Sequence, residues 1–264
     1  MNHFHEDKLR ILPISMKDLG PQRHFRLPVG PFLALGLLQV PVCMAYNLVM
    51  AIATDFAATT YTSCHVFNFF PTTSAAAKSQ HTVWVFACWM EFPFWIANAW
   101  LQFRFYRRTL PKAVRSFGCL IAMLLAVSSF IMLLWGTFAQ VDGDSLLHIA
   151  IALSLFMSCA IYMAGSFVCC KYYMLDKGRQ QLHEELSIRL KSKLVFLYFV
   201  TVVIMWLFYF IHQKFCLPLA YSIFGFGEFV SSECFCLYLC LAYFDNYHVY
   251  ICYDQRMGFF LSEI

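Results

Sequence analysis

Charge is scarce in this chain. Only 13% of its 264 residues are Asp, Glu, Lys or Arg, against about 25% in a soluble domain. The usual catalytic signatures are absent as well. There is no GxSxG elbow, Walker A loop, Rossmann glycine pattern or HExxH helix, so the common hydrolase, nucleotide-binding and zinc-protease sites are excluded. No two histidines stand four apart and no His-x4-Asp dyad occurs, which removes a ready helical metal pair and the soluble glycerolipid acyltransferase dyad. Residues 1–31 lack the short apolar stretch and small-residue cleavage site of a signal peptide. Basic residues sit in short blocks between apolar runs, so the net charge of +4 does not point to nucleic acid.

What is present is hydrocarbon. Hydrophobic residues make up 61% of the chain, including 29 Phe and 14 Tyr, a composition that belongs in lipid. Six apolar runs near the ~20 residues needed to cross a bilayer lie at 32–54, 83–103, 117–139, 146–170, 194–213 and 217–244. The expected fold is an all-α bundle of six transmembrane helices at 32–244, with an N-terminal tail at 1–31 and a C-terminal tail at 245–264. Pro41 and Pro93 fall inside the first two runs and should kink them. All but two of the 19 Lys and Arg fall in the two tails and the loops after the second and fourth runs. The exceptions are Lys78 and Lys214. By the positive-inside rule both termini are cytosolic, and the 55–82 loop, the QVDGDS turn and the HQKFC turn are lumenal. Leu182, Leu186 and Leu190, with Glu185 four before Arg189, predict an amphipathic helix running into the fifth span.

Most of the twelve cysteines lie in apolar runs and read as small buried hydrophobes. Polar groups inside the runs are more informative, because an intramembrane carboxylate is costly and marks a functional site by default. Glu91 sits about 12 Å into the second span, and Glu228 about 17 Å below the start of the sixth, at ~1.5 Å per residue. Ser231 and Ser232 follow Glu228 on the next turn and are placed to hold its carboxyl toward a cavity. The structural alternative is a protonated, hydrogen-bonded Glu228 that holds helices together. His212 closes the fifth span, about 15 Å above Glu228 by helix rise. A His and a carboxylate facing one cavity form a general base and its orienting partner, whereas a lone interfacial His more commonly bonds headgroups or backbone.

Two stretches resemble a known family. TSCHVFNFFPTTSAA, with Cys64, Val66, Asn68, Pro71 and Ser74, resembles the first lumenal loop of the post-GPI-attachment-to-proteins factor two family. Val83–Trp84 is similar to the opening of that family's next span. The final hairpin is similar through His212, Cys216, Tyr221, Ile223, Phe224, Glu228 and Asp245. Glu91 and Leu239 stand where a vertebrate relative carries His. The wider group is the DRAM/Frag/Sfk-like proteins. The resemblance implies a multi-pass protein of the Golgi membrane, or of the endoplasmic reticulum, that acts on membrane lipids and GPI-anchored proteins. Its implied role is reacylation of lyso-GPI, as acyltransferase or essential component, with no cofactor implied and no acyl donor identified. In the enzyme version His212 or Glu228 takes the lipid hydroxyl proton and Asn68 stabilises the oxyanion, while Ser74, Glu91, Ser231 and Ser232 line the substrate site. The alternative is a non-enzymatic scaffold or lipid-binding regulator that recruits partners through cytosolic loops. Cys64 and Cys216 are the two cysteines in lumenal loops, where oxidation is favoured, and are expected to pair; two free thiols are the alternative.

Overall fold

The computed structural model describes residues 25–138, 145–177, 182–254 and 258–263. A short strand, β1 (Phe25–Pro28), leads into α1 (Val29–Leu37) and α2 (Gln39–Thr54). The 55–82 loop holds two small helices, α3 (Phe56–Thr59) and α4 (Thr73–Ser79). Four long helices follow: α5 (His81–Thr109), α6 (Lys112–Phe138), α7 (Ser145–Lys177) and α8 (Leu182–Phe215). The chain ends with α9 (Ala220–Cys240), α10 (Ala242–Asp245), β2 (Val249–Asp254) and β3 (Gly258–Glu263).

Among the described residues, five helical segments are long and apolar enough to cross a membrane: Val29–Thr54, Lys112–Thr137, Leu146–Tyr172, His183–Phe215 and Ala220–Asp245. The second apolar run, 83–103, lies within α5, which is as long as its neighbours but falls outside these five. Its tryptophans together with Glu91, Asn98 and Gln102 dilute its hydropathy. In the first span the helix is interrupted at one residue, Leu38, three before Pro41. Pro41 is the third residue of α2 and has no N–H to reach the Leu37 carbonyl, so the chain turns at Leu38 before α2 begins. At Pro93, by contrast, α5 continues as a helix.

The structure corrects the all-α expectation. Residues 25–28, read as tail, pair antiparallel with β2, and β2 pairs antiparallel with β3, giving the order β1-β2-β3. Alternation made these strands: Val249, Ile251 and Leu261 pack with the bundle core, while Phe25, Tyr253 and Phe259 continue the same face outward. β-branched and aromatic residues favour such pleated, half-buried surfaces.

Helix α8 shows how the bundle sorts its faces. Phe196, Val203 and Phe210, seven apart, are 71%, 65% and 64% exposed, which is the face for lipid. Lys191, Tyr198, Met205 and His212, also seven apart, are all buried. Against this inner stripe pack α9 on one side and α7 on the other. Gly36 lets α1 approach α5, because a Cβ there would enter the Phe94 ring.

Candidate functional site

The 55–72 loop is fastened onto the α8–α9 turn. Cys64 and Cys216 form a disulfide with 5.4 Å between their Cα atoms. His65, Cys216 and Leu219 all take positive φ (54°, 46° and 65°), a costly conformation for residues with a Cβ. The surrounding bonds hold it: Leu219 N–H donates to the Phe67 carbonyl (3.0 Å). The buried Ser222 hydroxyl accepts from the Phe69 and Phe70 N–H groups (2.9 and 3.3 Å) and donates to Asn68 Oδ1 (3.4 Å). Asn68 Nδ2 donates to the Val66 carbonyl (3.1 Å). Both ends of the Asn68 amide therefore shape the loop. Gly225 carries the next contact, since a Cβ there would lie 2.8 Å from the Pro71 carbonyl oxygen.

This seating delivers α4 to Glu228. Thr72 caps α4, its Oγ1 accepting from Ala75 N–H (3.1 Å). The N–H of Thr73, otherwise an orphan of the first turn, donates to Glu228 Oε2 (3.0 Å). Ser231 and Ser232 do not hold the carboxyl, contrary to the sequence expectation: Ser231 Oγ bonds back to the Glu228 carbonyl (3.0 Å), the ordinary choice of a helical serine. Ser232 instead lines a cavity of about 50 Å³ with Glu228, Thr73 and the rings of Trp84, Trp95, Trp135 and Tyr198. Ser74 lies outside it, its hydroxyl 3.2 Å from Thr72 Oγ1, beside a second cavity of about 20 Å³. That cavity shares Trp84 and Trp135 with the first and is edged by Lys78 and His81.

His212 is buried at the top of α8, its ring centroid 4.9 Å from that of Tyr221. Its Nδ1 has no hydrogen-bond partner among the described residues. The Tyr221 phenol lies by the Thr72 hydroxyl, so the order runs His212, Tyr221, Thr72, Thr73, Glu228. His212 and Glu228 are thus linked through this row of residues without touching, and only Glu228 lines the cavity; His212 does not, contrary to the expectation that the two face one space. Glu91 is fully buried on α5 and accepts from Trp95 Nε1–H (2.9 Å), which makes it a support for a cavity wall rather than a lining group. The cavity is mostly apolar, with Glu228, Thr73 and Ser232 as its polar groups, and about 50 Å³ has room for a few water molecules.

A model of the Frag1/DRAM/Sfk1/Cwh43P N-terminal domain family matches residues 29–249, from the first helix to the start of β2. The chain belongs to that family. It is also 26% identical over 252 residues to proteins named Post-GPI attachment to proteins factor 2 from Drosophila melanogaster and Drosophila pseudoobscura pseudoobscura, covering 90% of this chain and 94% of each of them. No solved structure matches the chain. The family match spans both halves of the site, the loop with Asn68 and Thr73 and the helices with His212 and Glu228.

The sequence missed three features. Thr73 acts through its backbone, which no side-chain motif reports. The buried Lys191–Asp245 pair was hidden because Lys191 was read with a basic loop, although its seven-residue spacing to Tyr198, Met205 and His212 places it on the inner stripe. Asn47 lies in the first apolar run, 1% exposed.

The disulfide has a direct check. Alkylation of intact protein is expected to leave Cys64 and Cys216 unmodified until reductant is added, as read by peptide mass spectrometry. Cys64→Ser with Cys216→Ser should cost about 2–4 kcal/mol of stability, because the bridge closes a loop with 152 residues of separation.

Proposed function

We propose that this protein supports fatty-acid reacylation of lyso-GPI on GPI-anchored proteins in the Golgi or endoplasmic reticulum membrane. The observation that carries the reading is its 26% identity, along 94% of their length, to proteins named Post-GPI attachment to proteins factor 2. The burial of His212 and Glu228 inside apolar membrane-length helices supports it, since polar groups held within such spans mark a functional site. As acyltransferase, the protein would use His212, near the α8–α9 turn, as base, with Glu228 and Ser232 below it; its lipid partners are the lyso-GPI and an acyl donor. The binding role in a larger assembly is the second reading, favoured by Asn68 and Glu228 each being held in hydrogen bonds that build the site.

The deciding experiment is reconstitution of the purified chain with lyso-GPI and isotope-labelled acyl donors. Labelled GPI that disappears with His212→Phe makes it the enzyme. Rescue of GPI lipid composition in cells lacking the relative, with no turnover by the purified chain, makes it the essential component. Failure of both removs the proposal.

The arrangement in the bilayer that this reading needs is six crossings, α5 included, with both termini cytosolic and 55–82 lumenal, as the basic residues imply. In sealed microsomes, tags at either terminus are expected to be digested by added protease, and a tag within 72–80 to be protected. A protected N-terminus would invert the map.

A further inference from the structure

Residues 67–79 run beside a membrane-length helix. The first arm of this segment, up to Thr72, is non-helical, and its contacts with α9 keep a steady register. The Phe67 carbonyl accepts from Leu219 N–H, and the Phe69 and Phe70 N–H groups reach Ser222 Oγ. Further along, Gly225 faces the Pro71 carbonyl and Thr73 N–H donates to Glu228. From Leu219 to Glu228 the helix rises about 14 Å, at ~1.5 Å per residue. Helix α4 (Thr73–Ser79) then returns over about 10 Å at the same rise, and α5 starts at His81. An extended arm going in and a helical arm coming out make a re-entrant hairpin. Non-helical backbone is tolerated at membrane depth only where protein satisfies its polar groups, and α9 supplies these partners. The side chains of the extended arm alternate. Asn68 is buried against Ser222, whereas Phe67 and Phe69 on either side of it are 66% and 53% exposed. Leu219, bonded to Phe67, is exposed as well, and so is Phe226, whose ring centroid lies 5.6 Å from that of Phe70. The outer side of the hairpin is therefore apolar and continuous with the outer face of the span Ala220–Asp245.

We propose that residues 67–79 enter the leaflet that holds the start of α9, and that Phe67, Phe69 and Phe226 form a surface for the hydrocarbon chains of its lipids. The occupant follows from depth and chemistry. Phe67 and Phe69 stand level with the first turn of a membrane-length helix, and the surface they extend is one that the bilayer covers. Phe67, Phe69, Leu219 and Phe226 carry no polar side-chain group, so they suit a lipid chain rather than a headgroup or a hydrophilic peptide. The Cys64–Cys216 bridge fastens the hairpin at its rim, and Glu228 holds its tip through Thr73. On the arrangement in the bilayer given above, the leaflet is the lumenal one, and the flanking residues 55–65 and 80–82 stay on the lumenal side. This placement stands whether or not the protein takes part in reacylation.

The test uses the full chain in phospholipid nanodiscs, where water reaches both faces. A small fluorescent amino acid replaces Phe67 or Phe69 in turn. Phe226 and Phe210 serve as lipid-facing references, and the exposed Lys214 of the α8–α9 turn as the aqueous one. The two quenchers are a phospholipid with a nitroxide near the glycerol end of its chain, and iodide in the water. Chain-label quenching at Phe67 and Phe69 is expected to lie within about twofold of that at Phe226, with iodide quenching at least about fivefold below that at Lys214. Resistance of Cys64 and Cys216 to alkylation shows that each variant is folded around the bridge. A second measurement needs no substitution: in the unaltered chain, a phospholipid with a diazirine on its chain is expected to label the peptide carrying Phe67 and Phe69, as mapped by mass spectrometry. Iodide quenching that matches Lys214 would put the rings in water and overturn the proposal. Protection from both quenchers, or an unlabelled Phe67 peptide where the Phe210 peptide is labelled, would overturn it too, because another protein surface would then cover this face. GPI lipids are not read in either measurement, so failure here and failure of the reacylation reading are distinguishable.

Discussion

Lys191→Met, with Asp245 left in place, is expected to cost about 3 kcal/mol of stability, the lower end of the range for breaking a buried ion pair. Lys191 Nζ lies 2.5 Å from Asp245 Oδ2, with the Lys side chain 4% and the Asp side chain 30% exposed. Ser187 Oγ donates to the other carboxylate oxygen (2.8 Å), and Nζ also reaches Cys170 Sγ (3.6 Å) and stands 5.7 Å from the Tyr238 ring centroid. The pair therefore joins α7, α8, α9 and α10 just where the chain leaves the bundle for β2. Removing the cation leaves a carboxylate with one serine and limited water, and its partial exposure is why the lower figure applies. Lys191→Met with Asp245→Asn should recover most of the loss, because both charges then go together. Thermal unfolding in detergent, followed by size-exclusion chromatography, measures both. A single substitution within about 0.5 kcal/mol of the unaltered protein would show that the pair is not buried in the folded chain.

The apolar framework was legible because lipid demands long uninterrupted runs, and the described residues of the runs at 117–139, 146–170 and 194–213 lie inside α6, α7 and α8. Polar residues were legible only where their chemistry is rare. Glu228 stood out as a carboxylate in a membrane-length run and does reach the cavity wall. Lys191 did not stand out, since a lysine among other lysines reads as solvated until its heptad partners are noticed. The sheet was missed because the tails were read by charge, while the period-two pattern in VYICYD and GFFLSE is short and its partner strand lies more than 200 residues away. Asn68 drew notice as part of the loop pattern, yet its amide folds that loop onto Ser222. Asn47, in no pattern, is buried on α2 beside the Cys43 thiol. A sequence shows which polar groups are buried more readily than it shows which of them the fold has already satisfied.

Glu228→Gln is expected to lower GPI reacylation by at least about tenfold, equivalent to roughly 1.4 kcal/mol in the barrier, while the protein accumulates normally. The substitution separates the role proposed for Glu228 in reacylation from its hydrogen bond to Thr73. The Gln side-chain carbonyl can still accept the Thr73 N–H, so α4 remains seated and the 55–72 loop keeps its place; only the ionisable group is lost. Glu228→Leu removes both, stranding the Thr73 N–H in a buried position at about 1–3 kcal/mol, and should reduce protein level as well as activity. His212→Phe is the companion test, because it keeps a ring against Tyr221 and removes the nitrogens. If His212 handles the lipid hydroxyl from above and Glu228 sets the polarity of the channel below, each variant loses activity at normal abundance. The double variant then loses little more than the worse single one, as expected for residues acting on one lipid. Wild-type GPI lipid composition with Glu228→Gln, alongside a destabilised Glu228→Leu, would make the carboxylate a fastener for α4 and nothing else. The Thr73 bond alone is compatible with that outcome; the shared cavity wall with Ser232, Trp84 and Trp135 is what argues against it.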